Sequence, residues 1–237
     1  MAGELDTQEE PEKEIEVLLP NTTIVTHCIM KNDVPRLVKC FEDEQDPYKE
    51  DVSTLVNERD ADGKSPLDLS VILNRLEMTR ELLQRGADVH STTGKGYCAL
   101  HQAAAWGRIG ALKILMEYQS NLQQKTTHGE RPRETAVRYN QTECIDFLDW
   151  AEAKVSLLDT IKLIQETIAD PEKVQGRLSK EDKGLALNTC KEKAEWVESA
   201  SDATTQDFLL HKQALDDVMT PIYQKLNEPP PEKPEKK

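Results

Sequence analysis

An all-α protein, a solenoid of helix pairs with hairpin loops followed by a small C-terminal helical bundle, is what this 237-residue sequence predicts. Three observations carry that expectation. Gly63, Gly96 and Gly129 are spaced by 33 residues, and Leu82, Leu115 and Leu148 keep the same step. Small residues stay in register with them, Ser70 with Ala103 and Ala136, and Asn74 with Gly107 and Asn140. Beyond residue 153 the period vanishes, and apolar residues recur at three and four, the spacing of amphipathic helices.

Each period reads as a turn, a short helix, a second helix and a loop. In Asp60-Ala61-Asp62-Gly63 the glycine is free to take positive φ. Ser65 is the expected N-cap and Pro66 the first helical residue, where a missing N–H costs nothing. Leu67, Leu69 and Val71 begin one helix, Met78, Leu82 and Leu83 mark the buried face of the next, and Gly86-Ala87-Asp88 stops it. Ile24, Val25, Cys28, Ile29, Leu37, Val38 and Phe41 have the spacing of an earlier, degenerate pair, with 42–51 an acidic insertion in its loop.

Gly63-x-Ser65-Pro66-Leu67, Leu82-Leu83-x-x-Gly86-Ala87-Asp88 and Gly96-x-x-Ala99-Leu100-His101-x-Ala103-Ala104-x-x-Gly107 resemble the ankyrin repeat. The repeats run 58–90, 91–123 and 124–153, after a degenerate one at 21–57. Two departures stand out. Arg131-Pro132-Arg133-Glu134 occupies the place of Thr-Pro-Leu-His, so the third repeat is expected to be looser or to pack on something beyond it. Cys98 replaces the capping Thr of the second, a loss of up to about 2 kcal/mol unless another group caps the helix.

After 153, Leu157, Leu158, Ile161, Ile164 and Ile168 form one helical stripe that ends at Asp170-Pro171, with Leu157, Leu158 and Ile161 expected to cover the last repeat. Ser179 and Asp182 open a second helix with the stripe Leu187, Cys190, Ala194 and Val197. A third runs from about Thr204 through Phe208, Leu215, Met219, Ile222 and Leu226, with Pro221 inside it. Leu178-Ser179-Lys180-Glu181-Asp182-Lys183, Trp196-Val197, Asp207-Phe208, His211-Lys212 and Pro221-Ile222 make 161–226 similar to the C-terminal helical lid of Hsp70 chaperones. That resemblance implies a shape without an ATP-driven cycle, since it includes neither the ATPase nor the peptide-binding sandwich. The expected organisation is an acidic disordered tail at 1–20, repeats at 21–153, a helical domain at 154–226 and a Pro/Lys/Glu-rich disordered tail at 227–237.

Of the net charge of −14, residues 1–16 carry −6 and residues 42–51 carry −5, leaving a nearly neutral body. Both acidic windows repel a nucleic-acid backbone or an anionic membrane, so neither is an expected partner. The first sixteen residues are polar and acidic where a secretory leader is basic and then apolar, and no apolar run approaches a membrane span. Five scattered cysteines without a C-x-x-C pair fit a reduced, cytoplasmic setting.

Catalytic motifs are not found. Gly94-Lys95-Gly96 is too short for a phosphate loop, and His90, Cys98 and His101 lack the paired spacing of a zinc site. The expectation is a non-enzymatic scaffold with no cofactor, no metal and no small-molecule substrate, binding a protein partner on the concave face of the repeats; a co-chaperone acting through the lid-like unit is the alternative. The ankyrin resemblance implies that partner-facing residues flank the turn glycine, as Lys64, Lys95 and Tyr97 do, and the end of the first helix, as Ile72, Leu73, Ala105, Trp106, Arg138 and Tyr139 do. Ile72, Tyr97, Trp106, Arg138 and Tyr139 are the candidates selected, rich in the types that dominate interfaces. The acidic loop reads either as a solubilising insertion or as a contact for a basic partner.

Overall fold

The computed structural model describes residues 16–228, which form twelve helices and, among the described residues, no strand. They divide into two compact units. One ends at Gln102 and includes Lys113–Ser120, and the other comprises Ala103–Leu112 and continues from Asn121.

Four helix pairs follow one local plan: α1 (Ile24–Lys31) with α2 (Val34–Glu42), α4 (Pro66–Ile72) with α5 (Leu76–Gln84), α6 (Ala99–Ala105) with α7 (Ile109–Glu117), and α8 (Pro132–Arg138) with the start of α9 (Thr142–Ala169). A short α3 (Val52–Leu55) lies between the first two. A left-handed residue separates the members of each pair: Asn32, Asn74, Gly107 and Asn140 have φ of 57°, 56°, 66° and 56°. These are residue types that tolerate the conformation, so the reversal is encoded locally. The step from Asn32 to Asn74 is nine residues longer than the later ones, which is the length of the insertion 43–51.

Every first helix shares one half of a capping box, built from four different chemistries. The N-cap N–H is accepted by the side chain three residues on: Thr23 by Thr26 Oγ1 at 2.8 Å, Ser65 by Asp68 Oδ2 at 2.9 Å, Cys98 by His101 Nδ1 at 3.2 Å and Arg131 by Glu134 Oε2 at 2.7 Å. Cys98 therefore keeps half of its capping box, with its sulfur 3.0 Å from the same nitrogen. The hairpins also repeat: Asp60, Thr93 and Thr126 each donate their N–H to the carbonyl four residues later, and Gly63, Gly96 and Gly129 close the turn at φ of 76°, 77° and 80°.

The acidic loop is neither freely solvated nor open to a partner along its whole length. Asp46 is buried and accepts from Arg36 Nη1 at 2.7 Å and from the Tyr48 N–H at 3.0 Å, while Lys49 Nζ donates to the Phe41 carbonyl at 2.6 Å. Burial opposes its charge, but those bonds to Tyr48 and Arg36 hold the Asp46 carboxyl below the usual range. Arg36 Nε also binds Glu16 at 2.6 Å, and the Leu19 N–H donates to His27 Nδ1 at 2.9 Å. Residues 16–20 are thus part of the fold, contrary to a tail reaching to residue 20; residues 1–15 lie outside the described residues, as do 229–237.

The third repeat compensates for its arginines with acids on α9. Arg133 binds Asp149 through Nε and, at 2.9 Å, through Nη2, and Arg131 Nη1 lies 3.6 Å from Glu152. The expected boundary at 153 and 154 falls inside α9, a single 28-residue helix. No Gly or Pro lies between Thr142 and Ala169 to break it, so the second helix of the repeat is also the first helix of the bundle.

In the bundle, α9 packs with α10 (Pro171–Val174), α11 (Lys180–Ser199) and α12 (Thr205–Asn227). Their shared core includes Leu157, Ile161, Ile164, Cys190, Phe208, Leu215 and Met219. Leu158 and Leu187, expected in the stripes, are exposed. Each lies about 100° around its helix from a buried neighbour, Leu157 or Ala186, and on these helices that neighbour takes the core-facing place. The Phe208 ring sits edge-on to Trp150 at 5.8 Å and to Trp196 at 5.2 Å, and Trp150 Nε1 donates to the Ala203 carbonyl at 2.9 Å.

His211 stacks on Trp196 at 3.5 Å with its Nδ1 buried and without a hydrogen-bond partner among the described residues. Burial pushes its pKa down from 6.5, Lys193 adds to the shift, and Asp207 and Glu192 oppose it. A pKa lowered in the folded state means that the unfolded chain takes up the proton first. Stability is then full above pH 6.5 and falls as the pH drops through the folded pKa. Urea midpoints read by tryptophan fluorescence should decline more between pH 7.5 and 5.5 for the wild type than for His211→Phe, both pH values being about one unit either side of the unfolded pKa. Equal declines would refute a role for His211.

Candidate interaction surface

Trp106 and Tyr139 each follow the last residue of a first helix, α6 or α8, and are 53% and 52% exposed. The Gln141 side chain ties their surroundings together, donating Nε2 to the Ala105 carbonyl at 3.2 Å. Its amide also crowds Gly107, where an added Cβ would run into Gln141 Oε1. Arg138 is exposed, ion-paired to Glu130 at 2.8 Å and 6.0 Å from the Tyr139 ring centre.

Ile72 and Tyr97 are placed differently. Ile72 is half-buried, and the residue in register with Trp106 and Tyr139 is its neighbour Leu73, 36% exposed as the C-cap of α4. The step of 33 written through 73, 106 and 139 contains that assignment. Tyr97 is half-buried and edge-on to His101 at 5.6 Å, so part of its ring is committed to its own repeat. It still lines a cleft of about 510 Å³ with Asp62, Lys64, Lys95 and Gln102, in which Lys64 is paired with Asp62 at 2.8 Å.

Sequence reasoning missed Val137. Its register mates Val71 and Ala104 are fully buried, yet Val137 is 47% exposed. No further repeat follows α8, so the side chain that would meet one faces solvent.

Nothing in the chemistry of the described residues points to covalent catalysis. All five thiols are buried, and burial, with Cys40 adding to it for Cys28, pushes Cys28 up to about 12 and Cys40 to about 11, leaving them protonated and weakly nucleophilic at neutral pH. No group of three or more His, Cys, Asp or Glu among these residues is placed to hold a metal ion, and none of their helices is long and apolar enough to cross a membrane.

Residues 74–159 match the family model described as "Ankyrin repeats (3 copies)", which together with the helix pairs defines an ankyrin-repeat protein, a class built for protein–protein contact. Proteins named "Ankyrin repeat domain-containing protein 45" are similar to it: the Homo sapiens one at 35% identity over 200 residues, 84% of this chain and 75% of its own length, and the Mus musculus one at 37% over 84% and 81%. The Danio rerio protein of that name is 42% identical over 138 residues, 58% of this chain and 62% of its own length. The chain belongs to the ankyrin repeat domain-containing protein 45 family.

Proposed function

We propose that the chain is a non-enzymatic scaffold or adaptor that binds a protein partner through the exposed ends of its first repeat helices. The single observation carrying this reading is the half-exposed pair Trp106 and Tyr139 at equivalent places one repeat apart. Large aromatics left in water on a repeat protein are the residues that dominate interfaces elsewhere. Arg138 joins them, Leu73 holds the equivalent place in the preceding repeat, and Ile72 and Tyr97 contribute less because half of each is already covered. The repeats at 58–90, 91–123 and 124–153 present the contact, and the helical unit at 154–226 buttresses the last of them through α9.

A partner is first isolated with the tagged chain from cells, identified by mass spectrometry and purified. Trp106→Ala with Tyr139→Ala should then weaken the purified pair by roughly thirty- to several-hundred-fold, the effect of losing about 2 to 4 kcal/mol of hot-spot contact. Helicity and melting temperature should stay nearly unchanged. Undiminished affinity would move the contact elsewhere, the outcome expected if the lid-like bundle were the binding element. An unfolded double variant would show that these aromatics are structural.

A further inference from the structure

Arg36 holds two separate stretches of chain at once. Its Nε donates to Glu16 at 2.6 Å and its Nη1 to Asp46 at 2.7 Å. Glu16 opens the segment 16–20, which is fastened a second time where the Leu19 N–H donates to His27 Nδ1 at 2.9 Å. Asp46 belongs to the insertion 43–51, which the repeat period does not require. One guanidinium on α2 thus clasps the segment before the first helix pair and the loop after it.

The Tyr48 ring lies against this clasp, its centre 5.5 Å from Arg36 Cζ, and the Tyr48 N–H donates to Asp46 at 3.0 Å. The Tyr48 hydroxyl has no hydrogen-bond partner among the described residues. Burial raises the Tyr48 pKa, and Glu16 and Asp46 add to the rise while Arg36 opposes it, so both carboxylates act on the phenol. No helix covers the stretch between the end of α2 at Glu42 and the start of α3 at Val52. Asp43, Glu44 and Asp46 precede Tyr48, and Glu50 and Asp51 follow it. Kinases choose substrates partly by charge pattern, and this pattern complements a basic peptide cleft. Tyr139 is the contrast, more exposed but preceded by Thr135, Ala136, Val137 and Arg138, with no acid among them.

We infer that Tyr48 is a phosphorylation site for an ATP-dependent tyrosine kinase, and that its phosphate releases residues 16–20 from the first helix pair. The phenolic oxygen attacks the γ-phosphorus of ATP, and the bond from that phosphorus to the oxygen bridging it to the β-phosphate breaks. ADP leaves, and the phenolic proton passes to the kinase's base. Arg36 against Glu16 and Asp46 sums to −1, and a phosphate of about −2 takes the clasp to about −3. The lysines of the loop region are already engaged, Lys49 with Glu44 at 2.8 Å and Lys39 with Asp43 at 4.0 Å. Glu16 is the member that leaves. Its side chain is 32% exposed and readily rehydrated, whereas that of Asp46 is 2% exposed and is also held by the Tyr48 N–H.

Incubation of the full chain with MgATP and a soluble tyrosine kinase that favours acidic substrates, followed by tandem mass spectrometry, tests the site. Tyr48 should carry more phosphate than Tyr139. Hydrogen exchange followed by NMR tests the release. The Leu19 amide should exchange about tenfold faster or more in the phosphorylated chain, while the amide of Leu82 on α5 keeps its rate. Glu16→Gln should speed Leu19 exchange without any kinase and leave the phosphate little to add. Tyr48→Phe, which keeps the ring beside Arg36, should hold the unmodified rate after kinase treatment. Phosphate on Tyr139 with Tyr48 bare, or on neither, overturns the site. Phosphotyrosine incorporated at position 48 during translation checks the release independently of any kinase, and unchanged Leu19 exchange in that chain overturns it.

Discussion

Phe208→Ala should loosen the whole C-terminal bundle. The ring is fully buried on α12 and meets Trp150 of α9 and Trp196 of α11, so three helices share one side chain. Truncating a buried Phe leaves a cavity that costs roughly 3 to 5 kcal/mol. For a unit of this size that is on the order of 10 to 20 °C in Tm. The same change should shift the emission of Trp150 and Trp196 to the red as water reaches them. Leu210→Ala on the same helix is the control, because Leu210 is exposed and its removal should change stability by no more than about 0.5 kcal/mol. Similar melting curves for the two variants would mean that Phe208 does not organise the bundle.

Gly107→Ala is the second substitution with a large expected effect. Gly107 has φ of 66°, and its Cβ would meet the Gln141 amide that bonds the Ala105 carbonyl. The left-handed conformation costs alanine about 1 to 2 kcal/mol. Displacing the Gln141 bond adds about 0.5 to 1.5 kcal/mol. Gly107→Asn separates the two contributions. Asn occupies the equivalent place as Asn74 and Asn140 at φ of 56°, so it relieves the backbone cost and keeps the steric one. Chemical denaturation should rank the wild type above Gly107→Asn and Gly107→Asn above Gly107→Ala. Equal losses for both variants would place the whole effect at Gln141.

The repeats were legible because their signals are local. Turn glycines, Pro at the first helical position and apolar spacing fix each pair within a few residues of the chain. What escaped depends on neighbours that are distant in sequence. The acid at position 46 looks solvated until Arg36, ten residues earlier, is seen bound to it. Arg131 and Arg133 look like defects until Glu134, Asp149 and Glu152 supply their countercharges. Leu158 and Leu187 satisfy a spacing of three or four as well as their neighbours do, and only the packing of α11 and α12 selects the phase. At the candidate surface the exposure of Trp106 and Tyr139 follows from their place after the helix ends. Val137 shows the limit of register, since a buried position in two repeats becomes a wet one where the stack stops.

The unbroken α9 has the effect of a splined shaft. Each residue along it turns the chain by about 100° and advances it by 1.5 Å. An insertion of one residue just before Trp150 would swing Trp150 and the helices packed with it by that angle relative to Cys144 and Leu148. Seven added residues would come back to within about 20° of the original orientation. Length at this joint is therefore quantised by angle. The loop at 43–51, which has no phase to keep, absorbed nine residues beyond the repeat period and left the helices around it intact.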